Sequence, residues 1–226
     1  MSKYNRTFHF SFSPEIHSDD KTIDKQAEKE NFLKDIIITE KLDGGNACFK
    51  NGEVYARTHS TPTDHASFSM LKQINSYIKK NNIESLDIFG ENMQAIHSIE
   101  YSNLKSPFYL FNIKNKETNF WLSYKYLELI SKKLKLPLTP EVYRGDFKSI
   151  KDLQEFLEKE IKKESFLGGQ REGFVIRPLE SFSDDMFSTH VAKYVRKGHV
   201  QTEDHWSKNW KQAKIDNSFW NNLIKG

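Results

Sequence analysis

The apolar and polar positions of this chain change period several times, and each change predicts an element. Residues 4–12 alternate polar with aromatic side chains, the period of a half-buried strand. Residues 14–31 are rich in charge and predict an exposed connector or a short helix. Residues 32–38 finish in Ile36-Ile37-Ile38, an apolar run that predicts a buried strand delivering Lys41. Residues 47–50 and 53–57 then flank Asn51-Gly52, a pair that accommodates the positive φ angles of a tight hairpin turn. Lys41 and Arg57 are therefore expected on neighbouring strands.

Phe68, Leu71, Ile74 and Ile78 fall at helical spacing within 64–82 and predict a helix packed on a sheet. Residues 86–89 read as a short strand ending at Gly90-Glu91-Asn92, and 108–113 as a strand rich in aromatics. A helix is predicted over 121–136, where Pro137 and Pro140 stop it. Ser149 and Asp152 have the spacing of a capping box, opening a helix that turns Ile150, Leu153, Phe156, Leu157 and Ile161 inward. Past Gly168-Gly169, strands are predicted at 174–176 and 191–195. Thr202 is placed to cap a last helix carrying Trp206, Trp210 and Trp220, with Glu203 and Asp204 in its first turn. Strands and helices mix without regular alternation, which predicts an α+β domain with mainly antiparallel sheets flanked by helices. With no internal repeat and no low-complexity linker, 1–226 is expected to be a single domain.

Charge adds a location rather than a class. Lys and Arg total 34 against 31 acids, a net charge of +3 that is too slight to require a nucleic-acid partner. Yet Lys193, Arg196, Lys197, Lys208, Lys211 and Lys214 crowd the last part of the chain, either as a phosphate-gripping surface or as a solvated helix face. The single cysteine, Cys48, excludes an internal disulfide and any paired-cysteine zinc site. No apolar run is long enough to span a bilayer and the first residues lack a signal core, so a soluble cytoplasmic protein is expected. His59, His97, His190, His199 and His205 have the spacing of no standard zinc site.

The candidate chemistry centres on Glu40-Lys41-Leu42-Asp43-Gly44-Gly45-Asn46, a polar turn directly after the apolar run. A lysine leaving a buried strand at a glycine turn can be desolvated while a ligand approaches the open backbone, and burial or a neighbouring cation exposes the lone pair a nucleophile needs. The same residues could equally form a plain inter-strand turn. Common phosphate loops, Gly-x-x-x-x-Gly-Lys-Ser/Thr or Gly-x-Gly-x-x-Gly after a strand, are missing. Charged residues at strand ends stand in their place: Lys41, Arg57, Glu91, Glu172 and Lys193. A lysine nucleophile, cations for phosphoryl oxygens and carboxylates for a metal ion or a ribose together suit nucleotidyl transfer.

Lys41-Leu42-Asp43-Gly44, Phe89-Gly90-Glu91, the aromatic strand ending at Phe111, Glu172-Gly173-Phe174-Val175 and Ala192-Lys193-Tyr194 follow one another in a recognisable order. That order resembles the motifs of the covalent nucleotidyltransferases, the superfamily of ATP-dependent DNA ligases, RNA ligases and mRNA capping enzymes. With Asn46 and Ala56-Arg57-Thr58, the chain most resembles RNA ligases of the phage T4 RNA ligase 2 type. The resemblance implies a nucleotidyltransferase (ATP-grasp-like) domain that uses ATP and Mg2+ or Mn2+ on nucleic acid, RNA foremost, with 5′-phosphate and 3′-hydroxyl ends. It implies that Lys41 takes AMP from ATP, that Lys193 contacts the α-phosphate and that Arg57 and Asn46 lie near the phosphates. It further implies that Glu91 contacts ribose or metal, that Phe111 or Phe108 stacks on adenine and that Glu172 is associated with metal. Glu40 adjoins the nucleotide in the same reading. Two features depart from the pattern. The second lysine of the last motif is missing, so one phosphate contact falls to Arg196 or is lost, and the chain ends soon after with no room for an additional C-terminal domain. His97-Ser98-Ile99 has counterparts in this group but no assigned role. A DNA ligase, a GTP-using capping enzyme or a catalytically idle end-binding module are the alternatives.

Overall fold

The computed structural model describes residues 4–57, 61–81, 83–199, 210–216 and 218. In chain order the first elements are β1 (Phe8–His9), α1 (Lys25–Asn31), β2 (Ile36–Lys41), β3 (Gly45–Lys50), β4 (Glu53–Ala56) and α2 (Ser69–Ile78). Next come β5 (Leu86–Asn92), β6 (Ala95–Ile96), β7 (Phe108–Asn115), β8 (Phe120–Trp121), α3 (Tyr124–Leu134) and β9 (Glu141–Gly145). The last are α4 (Ile150–Glu160), β10 (Gly173–Pro178), β11 (Phe182–Ser183), α5 (Phe187–His190), β12 (Ala192–Val195) and β13 (Lys211–Gln212).

The strands form a five-stranded sheet ordered β1-β12-β10-β2-β9, a six-stranded sheet ordered β11-β8-β7-β5-β3-β4, and the small pair β13-β6. All pairings between these strands are antiparallel except that of β1 with β12. The α+β expectation with mainly antiparallel sheets therefore holds.

In the five-stranded sheet the period of two separates core from cleft. Ile36 and Ile38 of β2, Phe174 and Ile176 of β10, and Ala192 and Tyr194 of β12 pack with Leu153 and Leu157 of α4 in one core. Thr39 and Lys41, Val175 and Arg177, and Lys193 alternate with them and line the cleft. The six-stranded sheet buries Ala47, Phe49, Ile88, Phe108, Leu110 and Ile113 against Leu71 and Ile74 of α2 and Leu127 of α3. Its other face gathers Cys48, Phe89 and Trp121 with Phe187.

Most local signals act as read. Asn51 and Gly52 have φ of 50° and 73° and join β3 to β4 as the expected hairpin. Phe68, Leu71, Ile74 and Ile78 are all buried. Ser149 caps α4 by accepting from the Asp152 N–H at 3.1 Å. Others are corrected. Lys41 and Arg57 are not on neighbouring strands, because residues 42–44 carry the chain from one sheet to the other instead of folding it back as a hairpin. The strand at residue 86 does not end at Gly90 but continues through Glu91 to Asn92, since both flanks pair there with β3 and β7. Trp121 belongs to β8, so the following helix starts only at Tyr124. Within 4–12 only Phe8 and His9 pair as a strand. Within the span of the expected last helix, 211–212 instead pair with β6 as strand β13, the ladder satisfying backbone groups that a helix would pair internally. Thr202, Glu203, Asp204, Trp206 and Trp220 lie outside the described residues. Among the described residues no helix is long and apolar enough to cross a membrane.

Candidate active site

The two sheets converge on a cleft of about 820 Å3. It is lined by Lys41, Asn46, Arg57, Glu91, Phe111, Glu172 and Lys193, so residues spread over more than 150 positions of sequence meet in one place. Lys41 is the last residue of β2 and lies opposite Gly173 of β10, which places it beside Glu172. Its Nζ donates to Glu172 Oε1 at 2.5 Å. Asn46 of β3 lies directly opposite Glu91 of β5, and the Gly44 N–H donates to the Glu91 carboxylate. Lys193 lies opposite Val175 on β12, and its Nζ is 3.4 Å from Asp20 Oδ1.

Phe111 reaches the cleft through a bulge. Phe89 pairs with Asn112 and Gly90 with Leu110, which leaves Phe111 as an extra residue on β7. Phe111 and Asn112 can therefore both line the cleft, while Leu110 and Ile113 both enter the core. Tyr4 meets the Phe111 ring edge-on with centroids 5.1 Å apart. Phe108, the alternative stacking residue, is fully buried in the core behind the sheet.

Glu40 and Arg196 fit the expected site poorly. The Glu40 carboxylate accepts from Arg171 Nε at 2.7 Å, Ser165 Oγ at 2.6 Å and the Phe166 N–H at 3.1 Å. Strand alternation turns it away from Lys41 and three donors hold its carboxylate on the far side of the sheet, so only its place on the strand brings it to the cleft wall. Arg196 does not line the cleft; its N–H donates to the Glu172 carbonyl and its Nε is buried with no partner.

Burial pushes Glu91 up to about 8 and Glu172 up to about 7, with the Lys41 charge pulling each back. Burial would lower Lys41, but the charges of Glu172, Glu91 and Asp43 outweigh it and raise the amine above its ordinary value. Desolvation therefore does not by itself expose the lone pair, contrary to the expectation from the turn. Burial, and then the Lys41 charge, lower Lys193.

Asp43, quoted in the first motif without a role, and His199, set aside because the histidine spacing fits no standard zinc site, both join the site. Asp43 Oδ2 accepts from the Ser98 N–H at 2.8 Å, Ser98 Oγ at 2.7 Å and the Ile99 N–H at 2.6 Å. The Asp43 N–H donates to the Tyr101 hydroxyl at 2.9 Å. This gives His97-Ser98-Ile99 a function: it fixes Asp43. Burial lowers His199 to about 4, a neutral imidazole. Asp43, Glu172 and His199 each direct a ligand atom into a space where all three lie within 4.8 Å of one another. Two carboxylates, a neutral imidazole and a buried, partnerless Glu172 Oε2 fit a divalent cation. Glu91 stands outside this trio. A histidine two residues beyond a lysine-rich motif gave no spacing signal, whereas Asp43 was readable as the second position after Lys41.

Two sheets meeting at a lysine-centred cleft define a nucleotidyltransferase-like fold. A model of the RNA ligase family matches residues 34–195, and the chain belongs to that family. A variant of Naegleria gruberi RNA ligase solved with ATP and manganese superposes with a TM-score of 0.60 at 18% identity, covering 87% of this chain and 56% of that one. The same enzyme with pyrophosphate gives 0.58 at 17% identity, covering 86% and 56%. At such identity the likeness is one of fold. An uncharacterised protein of Methanocaldococcus jannaschii is 29% identical over 73% of this chain and 43% of its own length. The chain thus spans about half the length of these relatives.

Proposed function

We propose that this chain is the adenylyltransferase domain of an ATP-dependent RNA ligase. The observation that carries the reading is the placement of Lys41 Nζ in a cleft between Glu172 and Glu91, with Lys193 and Phe111 on the same walls. Phe111 would stack on adenine and hold the α-phosphorus near Lys41. The deprotonated Lys41 amine attacks that phosphorus; the phosphorus–nitrogen bond forms, the bond to the bridging oxygen breaks, and pyrophosphate leaves. Lys193, Arg57 and Asn46 stabilise charge on the phosphoryl oxygens. Asp43 and Glu172 would hold a divalent cation, which would supply Lewis-acid neutralisation and offset the carboxylate charge that keeps Lys41 protonated. AMP then passes from Lys41 to a 5′-phosphate end, and a 3′-hydroxyl attacks that end and expels AMP. The protein's part is mainly to position groups and neutralise charge, as phosphoryl transfer requires.

In support, the family match covers most of the chain, and the Naegleria ligase has been solved with ATP, with manganese and with pyrophosphate. The test is incubation of the pure protein with ATP labelled at its α-phosphate, in magnesium or manganese, followed by denaturing electrophoresis. An acid-labile label lost in Lys41→Ala is the expected result; a label retained at full strength in that variant would sink the assignment. Nicked RNA, DNA and hybrid duplexes then separate an RNA ligase from a DNA ligase, and labelled GTP separates it from a capping enzyme. Nick binding with no label from either nucleotide would instead indicate an idle end-binding module.

A further inference from the structure

The last motif leaves one phosphate contact without a residue, and Arg196 does not line the cleft where that contact would be made. Another cation does. Arg6, just before β1, lines the cleft together with Lys193 and Asp20. One oxygen joins the three: Asp20 Oδ1 lies 3.4 Å from Arg6 Nη2 and 3.4 Å from Lys193 Nζ. Two cations from opposite ends of the chain therefore reach the same anionic oxygen. Asp20 is anchored through its other oxygen, Oδ2, which accepts from the His17 N–H at 3.1 Å and lies 3.2 Å from His9 Nε2. Both contacts at Oδ1 are longer than the about 2.7–2.9 Å of a well-formed charge-assisted hydrogen bond, so a phosphate that approaches more closely can displace them. The Arg6 side chain is 43% exposed and can turn toward such a ligand, whereas that of Asp20 is 8% exposed and fixed in place.

Strand order fixes the side of the nucleophile on which this group lies. Strands β2, β10, β12 and β1 are successive neighbours, about 4.8 Å apart. Lys41 ends β2, Lys193 is on β12 and Arg6 leads into β1, so Arg6 lies beyond Lys193 as seen from Lys41. In phosphoryl transfer the attacking and leaving atoms stand roughly in line across the phosphorus. With the α-phosphorus between Lys41 and Lys193, the pyrophosphate that leaves points toward Arg6.

We infer that Arg6 grips the two outer phosphates of ATP, and that Asp20 is their internal competitor, holding Arg6 and Lys193 until those phosphates arrive and reclaiming both as pyrophosphate departs. When Lys41 bonds to the α-phosphorus, the electron pair of the breaking bond moves to the bridging oxygen, and Arg6 neutralises the charge that grows on pyrophosphate. AMP has no outer phosphates and leaves the contact between Arg6 and Asp20 as it is. The inference rests on the ligase reading, but the affinities it predicts can be measured without catalysis.

The experiment titrates wild type, Arg6→Ala and Asp20→Asn with ATP, AMP and pyrophosphate at equilibrium. Arg6→Ala should weaken ATP and pyrophosphate by roughly tenfold or more, the worth of one hydrogen bond to a charged group, and change AMP by less than about twofold. Asp20→Asn should tighten pyrophosphate. Should that variant fail to fold, Asp20→Ser, which keeps an acceptor for the His17 N–H, takes its place. Unchanged ATP affinity in Arg6→Ala, or equal losses for ATP and AMP, would overturn the inference; weaker pyrophosphate binding in the Asp20 variant would overturn the competition. A nucleic-acid 5′-phosphate is the other possible source of the anion, and enzyme labelled in advance with AMP separates the two. Arg6→Ala should need roughly tenfold more pyrophosphate to release the label, while passing it normally to a nicked RNA. Slow transfer to the nick with a normal pyrophosphate response would move Arg6 to the nucleic-acid end and refute its role here. Full labelling of Lys41 with no effect of Arg6→Ala on ATP would remove this inference and leave the ligase reading standing; an Arg6-dependent gap between ATP and AMP, with no label in wild type, would do the reverse.

Discussion

Glu40 and Lys41 are neighbours in the chain whose charges serve opposite faces of one sheet. Glu40 Oε1 accepts from Arg171 Nε at 2.7 Å, and Lys41 Nζ donates to Glu172 Oε1 at 2.5 Å. The two ion pairs therefore link the same pair of adjacent residues on β2 with the same pair leading into β10. The Arg171 and Glu40 side chains are 3% and 2% exposed, whereas Lys41 is 27% exposed toward the cleft.

That division predicts separate losses. Arg171→Met leaves the buried Glu40 charge without its ionic partner, a change that costs about 3–5 kcal/mol; Glu40→Gln costs less, because Arg171 Nη1 still lies 3.2 Å from Glu160 Oε2. Lys41→Ala should abolish adenylylation with a smaller effect on stability. Urea unfolding of the three variants checks this; a Lys41→Ala loss as large as that of Arg171→Met would show that both pairs are structural.

Lys41, Glu91 and Glu172 were legible because each is a charged residue at or next to the end of an apolar strand. What could not be read is how β2 and β3 divide between sheets, since Leu42, Asp43 and Gly44 are equally compatible with a hairpin. The expectation that Lys41 and Arg57 share neighbouring strands failed for that reason, although both still reach the cleft. The bulge at Phe111 was invisible for a related cause, because a continuous aromatic run has no alternation to reveal an extra residue. His199 enters the site by a tertiary route that no local spacing records.

The bulge makes Phe111 replaceable in a way that Phe108 is not. Alanine in place of a stacking aromatic costs about 1–3 kcal/mol per base. Phe111→Ala should therefore raise KM for ATP in self-adenylylation by roughly tenfold or more, with Phe111→Trp restoring much of the loss. Phe108→Ala should act through stability, by about 3–5 kcal/mol for a buried phenylalanine. Equal KM values for wild type and Phe111→Ala would remove Phe111 from the base site.

Gly173 separates Glu172 from the core strand and leaves no room for a side chain. A Cβ there would lie 2.1 Å from the Tyr194 carbonyl oxygen, a backbone atom of β12 that cannot rotate away. Gly173→Ala should force β10 and β12 apart, displacing Glu172 and Lys193 together, with overpacking costing about 1–3 kcal/mol. Self-adenylylation should fall even where the protein remains folded. A variant with wild-type melting and wild-type labelling would show that the two strands tolerate the shift.

His9, which lies opposite Lys193 in the β1–β12 pairing, makes stability depend on pH. Burial, then the Lys193 charge, lower it from 6.5 to about 4, although its Nε2 is 3.2 Å from Asp20 Oδ2. The unfolded chain takes up a proton near 6.5 that the folded chain refuses until about 4. Stability is therefore full above 6.5 and is lost as pH falls toward 4, by at most about 3 kcal/mol. Asp20 adds a lower limb of the same sign: burial opposes its ionisation, but the His17 N–H and Lys193 outweigh that and bring it from 3.8 to about 2. His9→Asn keeps a polar group near Ser13 Oγ, which lies 3.1 Å from His9 Nδ1, and removes the titration. Its unfolding free energy in urea should be flatter than wild type between 6.5 and 4, with both proteins still losing stability below 3.8. Parallel curves across the upper window would mean that His9 takes no part in the acid response.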